Sequence, residues 1–231
     1  IIDADIYGFS VPDMMGITEL PKVVGDLIYP VEAHGVQVMS MGFFVQDNSP
    51  VIWRGPMLGK MLRSFFHEVY WEDDLEYMIL DLPPGTGDVA LDVHSLIPQS
   101  KEIIVTTPHP TAAYVATRAG TMALKTNHEI LGVIENMSYY ALPDGSKDFI
   151  FGEGGGAKVA EVLKTKLLAQ IPLGQASREY KEEVNHSIYP ENSLIGQIYM
   201  DLARQIIGEA VEEEKDGSAE KTKKRFTFFR K

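Results

Sequence analysis

The strongest chemical pattern in this chain is an aspartate that ends an apolar run and precedes a turn of prolines and glycines. Residues 81–88 have the sequence Asp-Leu-Pro-Pro-Gly-Thr-Gly-Asp and follow the apolar residues 77–80. A buried strand that ends in an aspartate can present a carboxylate to the magnesium ion of a bound nucleotide. Glycines in the following turn let backbone N–H groups approach a phosphate closely. The octet therefore favours a nucleotide switch, with Asp81 near the metal, over a simple turn that ends a core strand.

Two further strand ends carry polar side chains. The opening strand ends in Asp3-Ala4-Asp5, and two carboxylates at positions i and i+2 can share work on a magnesium ion and an attacking water. The alternative for this pair is a strand-to-loop turn with a capping aspartate. The run Gly132–Asn136 ends in an amide that can donate to and accept from a purine edge at once, although an asparagine in a turn is the more common case.

Two glycine patterns carry less weight. Gly152, Gly154 and Ala157 satisfy the loose pattern G-x-G-x-x-A, but they do not follow the first strand of a βαβ unit, so we expect a flexible loop before a helix. The sequence contains no G-x-x-x-x-G-K-[ST], and Gly59-Lys60 is followed by Met61. The first residues of the sequence look like the middle of a strand. We therefore expect that the lysine loop lies upstream of Ile1, or else that catalysis has been lost.

These residues need a scaffold in which strand ends meet, and the periodicity predicts one. The pattern alternates between strands and helices, and its strands are nearly continuously apolar, which is typical of a doubly wound, mainly parallel α/β sheet with helices on both faces. The predicted strands are 1–5, 36–41, 77–82, 102–107, 130–136 and 169–173. The predicted helices are 56–70, 88–97, 111–125, 156–167 and 192–211. We expect one domain over residues 1–211 and a charged, disordered tail over 212–231, either solvated or in contact with a partner.

The composition narrows the classes of function. A chain of 231 residues with 45% hydrophobic residues can form a sizeable core, and no apolar run is long enough for a membrane helix. The net charge of −12 disfavours a broad nucleic-acid surface. There is no cysteine, so no iron–sulfur cluster is expected on this chain alone. Lacking a secretory signal and disulfides, the protein is expected in the cytoplasm.

Taken in order, these motifs resemble the Mrp/ApbC family of P-loop ATPases, relatives of MinD. The likeness covers roughly residues 1–210. The matching stretches are Asp3–Gly8 with Ser10 and Pro12, Trp53–Pro56, Asp81–Asp88, Thr106–Pro108, Glu135–Ser138, Phe151–Gly156 and Ile171–Leu173.

The resemblance implies an α/β ATPase that binds ATP and Mg²⁺, forms a homodimer and delivers iron–sulfur clusters to client apoproteins. It implies that Asp5 is the catalytic carboxylate of the first switch segment and that Asp3 supports the metal. By the same likeness, Asp81 is the Walker B ligand of magnesium, Gly85 senses the γ-phosphate in the second switch segment, and Asn136 contacts adenine.

The sequence departs from the family pattern in two places. The glycine-rich lysine loop is expected one helix and one strand before Asp3, upstream of this sequence, and ATPase activity is expected when it is present. Leu142 and Gly145 stand where the cluster-binding Cys-x-x-Cys would be, and neither can ligate iron. Two alternatives therefore stay open: an ATP-gated regulator of gene expression, as in a cysteine-lacking branch, and a catalytically inert dimerisation scaffold. DNA is a possible partner through the basic residues 221–225, although the charge of the chain does not favour it.

Overall fold

The computed structural model describes residues 1–5, 8–45, 55–174 and 188–216. The predicted motif residues Trp53 and Arg54 and most of the predicted tail lie outside this part of the chain. The described residues form two compact units, one made of residues 1–98 with 188 and one made of residues 99–174 with 189–216. Each unit is described by itself.

The first unit contains a four-stranded sheet. Its elements in chain order are β1 (Ile2–Asp3), α1 (Val11–Met14), β2 (Lys22–Val24), β3 (Leu27–Tyr29), β4 (Val31–Ala33), β5 (Val36–Ser40), α2 (Gly55–His67), β6 (Leu80–Asp81) and α3 (Asp88–Leu96). The strand order is β4-β5-β1-β6. Strands β5, β1 and β6 run parallel, β4 is antiparallel to β5, and β2 and β3 form a separate antiparallel hairpin.

Helices α2 and α3 pack on the core of this unit. The spacing of Leu58, Leu62 and Phe65 places three apolar side chains on one face of α2, and all three are buried. They share a cluster with Ile2 from β1 and Val93 from α3. The apolar stripe of α2 thus anchors the central strand whose end carries Asp3.

The second unit contains a three-stranded parallel sheet with the order β11-β8-β7. Its elements are β7 (Lys101–Thr106), α4 (Pro110–Lys125), β8 (Glu129–Glu135), β9 (Tyr140–Ala141), β10 (Lys147–Asp148), α5 (Gly155–Leu163), β11 (Leu167–Gln170) and α6 (Leu194–Asp216). Strands β9 and β10 form an antiparallel hairpin between β8 and α5.

Helices cover both faces of this second sheet. Val133 and Ile134 are adjacent in β8, so their side chains point to opposite faces. Val133 belongs to the cluster formed with α4 and α5, whereas Ile134 packs in the cluster that contains Ile195 and Leu202 of α6. The predicted doubly wound arrangement is confirmed in this unit.

Several element boundaries differ from those expected. Strand β6 is limited to Leu80–Asp81 because its register partners are the two residues of β1. Helix α5 ends at Leu163 because Lys164 adopts a left-handed conformation with φ of +55°, and β11 begins earlier than predicted, at Leu167. Helix α6 continues to Asp216, beyond the predicted boundary at residue 211. No helix in the described residues is long and apolar enough to span a membrane.

Candidate functional site

Three parallel strands end side by side at one edge of the first sheet. In the register of β1 with its neighbours, Asp3 is paired with Ser40 of β5 on one side and with Asp81 of β6 on the other. Neighbouring strands lie about 4.8 Å apart, so residues in register have neighbouring side chains on the same face. The tertiary structure therefore brings Asp3 and Asp81, which are 78 positions apart in the sequence, to one place.

Asp3 is a buried carboxylate that holds three segments together. Its Oδ2 accepts hydrogen bonds from the Ser40 hydroxyl at 2.9 Å and from the Val11 N–H at 3.3 Å, and its Oδ1 accepts from the Asp5 N–H at 3.3 Å. Burial raises the pKa of Asp3, the hydrogen bonds from Ser40 and Val11 oppose this, and the charge of Asp81 raises it again. Asp3 is thus fixed in place, in a position where a cation would stabilise its charged form.

Asp5 and Asp81 complete the acidic cluster. The Oδ1 of Asp5 accepts a hydrogen bond from the Gly8 N–H at 3.1 Å. Partial burial raises the pKa of Asp81, and the nearby negative charge of Asp5 raises it further. Carboxylate oxygens are the ligands that Mg²⁺ prefers, and a divalent cation would relieve the repulsion among these groups. The donor set therefore fits magnesium.

The turn after β6 contains Gly85 in a backbone conformation that favours glycine. Gly85 has φ of +96°, in the left-handed region, so a side chain there would be strained even though a Cβ at this position would meet no atom within 4 Å. Gly87 is the N-cap of α3 and its carbonyl accepts from the Leu91 N–H at 3.4 Å. Asp88 is the first helical residue, where its negative charge interacts favourably with the positive end of the helix dipole.

Asn136 lies in the second unit, at the end of β8. Its N–H donates to the Thr106 carbonyl at 2.7 Å, and its side-chain Oδ1 accepts from the Met137 N–H at 2.9 Å. Asp3, Asp5, Asp81 and Gly85 belong to the first unit. The role of Asn136 as an adenine contact stays a prediction.

Sequence reasoning missed two residues that organise these strand ends. Ser40 is buried, donates to Asp3 and accepts from the Gly42 N–H at 2.9 Å. Glu135 is buried at the end of β8. Both were detectable as the polar residue that ends a mainly apolar strand, and Glu135 directly precedes the Asn136 that the prediction singled out.

The glycine-rich segment before α5 is explained by packing. A Cβ on Gly155 would overlap the carbonyl of Pro108, and a Cβ on Gly156 would lie 2.7 Å from the Cβ of Glu135. The Gly156 N–H donates to Glu135 Oε2 at 2.6 Å, so a carboxylate of this chain already occupies the start of the helix. This favours a structural role over anion binding by this segment.

Leu142 and Gly145, which stand where the cluster-binding cysteines were expected, lie in the hairpin turn between β9 and β10. The Gly145 N–H donates to the Leu142 carbonyl at 2.9 Å, and the Leu142 N–H donates to the Ser146 carbonyl at 2.9 Å. Gly145 has φ of +85°, and the Asp144 side chain accepts from the Ser146 hydroxyl at 2.6 Å. The turn is thus closed by its own hydrogen bonds.

The parallel α/β architecture and the acidic strand ends define the class of protein, an α/β P-loop NTPase fold of the MinD type. In agreement with this class, the structure resembles the cell division ATPase MinD of Pyrococcus furiosus, with a TM-score of 0.59 at 20% identity over 90% of this chain and 84% of that one. It also resembles a nucleotide-binding protein of Archaeoglobus fulgidus solved in complex with ADP, with a TM-score of 0.62 at 33% identity over 75% of this chain and 68% of that one.

The chain belongs to the ParA family of NUBPL iron-transfer P-loop NTPases, whose model matches residues 1–207. It is 61% identical over 207 residues to the iron–sulfur cluster carrier protein of Bacillus subtilis, covering 89% of this chain and 58% of that protein. It is 53% identical over 173 residues to the carrier protein of Mycobacterium bovis, covering 75% of this chain and 45% of that protein. The chain thus spans about half the length of these curated relatives, and the resemblance to the Mrp/ApbC family is confirmed.

Proposed function

We propose that this chain forms the switch-bearing part of an ATP-hydrolysing, Mrp-type iron–sulfur cluster carrier. The observation that carries the proposal is the shared register of Asp3 and Asp81, which places two carboxylates with raised pKa values beside Asp5 at one sheet edge. Such an edge is where open parallel sheets bind ligands. The 33% identical relative that holds ADP supports a nucleotide as the ligand.

In this proposal each residue has one task. Asp81 holds Mg²⁺ and Asp3 supports the metal site, while Asp5 orients the attacking water. Magnesium, when bound, neutralises charge that develops on the phosphate oxygens. The backbone N–H at Gly85 senses the γ-phosphate, and Asn136 contacts the adenine. Hydrolysis releases the two switch segments after β1 and β6, which changes the state of a homodimer.

The cluster would be cargo and not a resident group of this chain. The 231 residues contain no cysteine, so thiolate ligands would have to come from outside them, for instance from a client apoprotein. The same observation favours the second candidate, an ATP-gated regulator, in which Leu142 and Gly145 replace the cluster ligands altogether. A cytoplasmic location stays a prediction from the sequence.

The first test is thermal melting with and without Mg-ATP. It uses the 231 residues and a longer chain that also carries the upstream segment expected to contain the glycine-rich lysine loop, one helix and one strand before Asp3. We call the longer chain the loop-bearing protein. At a ligand concentration of 100 times Kd, binding stabilises the native state by about 2.7 kcal/mol, which raises Tm by roughly 5–10 °C. We expect this shift in the loop-bearing protein and its loss in the Asp81→Asn variant.

The outcomes separate the candidates. Absence of any shift in the loop-bearing protein would contradict the nucleotide proposal and favour an inert scaffold. A shift accompanied by phosphate release, together with transfer of a cluster to an apoprotein, would support the carrier. A shift with ATP-dependent retardation of DNA and no cluster transfer would support the regulator.

A further inference from the structure

Glu135 is a buried carboxylate that the proposed reaction does not use. It is 1% exposed, and three donors from different parts of the second unit converge on its two oxygens. The Ser138 hydroxyl and the Gln170 amide donate to Oε1 at 2.6 and 2.9 Å, and the Gly156 N–H donates to Oε2 at 2.6 Å. All three groups donate, and the carboxylate of Glu135 satisfies them because both of its oxygens accept.

The three hydrogen bonds join β11, the start of α5 and the loop after β8. Gly154, the N-cap of α5, has no side chain to cap the helix. Glu135 supplies the missing acceptor to the Gly156 N–H, from 21 residues before Gly156 in the chain. The packing around the carboxylate is close, since a Cβ on Gly156 would lie 3.0 Å from Glu135 Oε2. The position of Glu135 is therefore fixed by packing as well as by hydrogen bonds.

The same bonds clamp the short turn that contains Asn136. On one side of the turn, the Asn136 N–H donates to the Thr106 carbonyl at 2.7 Å. On the other side, Ser138 is held through its hydroxyl by Glu135 and through its N–H by the Ile171 carbonyl at 2.8 Å. Between them Met137 has φ of +53°, a conformation that a non-glycine residue adopts at a cost and keeps only when its surroundings impose it.

A hydrogen bond within this turn orients the Asn136 amide. The Met137 N–H donates to Asn136 Oδ1 at 2.9 Å, and because an N–H can only donate, the oxygen of the amide must face it. An amide that turns over can match either adenine or guanine, whereas an amide with a fixed oxygen matches one pattern of donors and acceptors. The orientation of the amide thus depends on where Met137 is held.

We propose that Glu135 is a positioning residue that fixes the Asn136 amide for recognition of adenine in preference to guanine. The proposal rests on the proposed function, in which Asn136 contacts the base. Glu135 does not touch the nucleotide in this scheme, and it acts through Ser138 and the turn at Met137.

The experiment measures the equilibrium Kd values of Mg-ATP and Mg-GTP for the loop-bearing protein and takes their ratio as the base preference. The variants are Glu135→Ala and the milder Ser138→Ala, each alone and combined with Asn136→Ala. The matched control is Glu129→Ala, at the exposed opposite end of the same strand. Loss of one bidentate amide contact is worth about 5- to 150-fold in discrimination between bases.

We expect Asn136→Ala and Glu135→Ala to reduce the preference for ATP by similar factors in that range, and Ser138→Ala to reduce it by a smaller factor. In the Asn136→Ala background, neither further substitution should change the ratio, because Glu135 acts through Asn136. A purely structural role would instead weaken both nucleotides equally, leave the ratio unchanged in the single variants, and overturn the proposal.

Two further outcomes are decisive. Should Glu135→Ala fail to fold, an unchanged ratio in Ser138→Ala would overturn the proposal and a reduced ratio would support it. Retention of the ATP preference by Asn136→Ala in a protein that binds ATP would overturn the positioning role and leave the ATPase proposal standing. A loop-bearing protein that binds neither nucleotide would overturn both.

Discussion

Replacing Ser40 with alanine tests whether the acidic strand ends are organised as the structure indicates. The Ser40 hydroxyl donates to Asp3 Oδ2 and accepts from the Gly42 N–H, in each case at 2.9 Å, and both Ser40 and Asp3 are buried. Ser40→Ala removes both hydrogen bonds without adding volume. It leaves one lone pair of a buried carboxylate and one backbone N–H without these partners.

The magnitude follows from the two bonds. A hydrogen bond to a charged group contributes about 1.5–3 kcal/mol and a neutral one about 1 kcal/mol, so we expect a loss of roughly 2.5–4 kcal/mol in the free energy of unfolding. For a chain of this size that loss lowers Tm by about 5–16 °C. Since the hydrogen bond from Ser40 lowers the pKa of Asp3, its removal should raise that pKa further.

The sign of the pH dependence is fixed by this pKa. A folded-state pKa above the unfolded value makes the native state bind its proton first, so stability is gained on acidification and lost as the pH rises through the folded pKa. The deficit caused by Ser40→Ala should therefore be largest at neutral pH and shrink as the pH falls through the raised pKa of Asp3.

The assay is urea or thermal unfolding of both proteins at neutral and at mildly acidic pH. The matched control is Ser95→Ala, which removes an exposed hydroxyl that donates to the Leu91 carbonyl at 2.9 Å within α3 of the same unit. The control should change stability by less than about 0.5 kcal/mol. Equal effects of the two substitutions, or a deficit from Ser40→Ala that grows on acidification, would refute the assigned role of Asp3.

Three further predictions concern other positions. Asp81→Asn removes a charge that raises the pKa of Asp3, so the ligand-free protein should be more stable at neutral pH. This gain in stability should vanish as the pH falls below 3.8, the ordinary pKa of an aspartate carboxyl. Stabilisation by Mg-ATP should be lost, and melting at several pH values with and without Mg-ATP checks both expectations. Asp5→Ala should abolish ATP turnover by the loop-bearing protein while nucleotide binding persists, and normal turnover in a phosphate-release assay would disprove its catalytic role. Gly155→Ala should destabilise the protein by about 1–3 kcal/mol because its Cβ would overlap a backbone carbonyl. Gly208→Ala in α6 should stabilise it by up to about 1 kcal/mol, because a Cβ there would meet no neighbouring element within 4 Å. Denaturation that gives both substitutions the same sign would contradict this.

The periodicity of the sequence was informative where an element is long and has one apolar face. It located α2, α4 and α6 because each presents apolar side chains at helical spacing. It missed the hairpin of β2 and β3, whose strands of three residues are too short to show an alternating pattern. It extended β6 too far, because an apolar run does not reveal how long its neighbouring strand is.

The sequence by itself determined which chemistry this chain can offer. Two strand ends with carboxylates, a glycine turn and the absence of cysteine are properties of residue type and local spacing, which the covalent order of the chain sets. Those features were sufficient to predict a nucleotide-binding α/β fold and the candidate residues within it.

Only the tertiary structure decided which of these groups act on one another. The pairing of Asp3 with Asp81 and Ser40 depends on strand register, and the convergence of three donors on Glu135 depends on packing between elements that are far apart in the sequence. Register and packing arise from the burial of apolar faces over the whole unit, so no local pattern can specify them. The pKa values of Asp3 and Asp81 have the same origin, because burial and neighbouring charges exist only after the chain has folded.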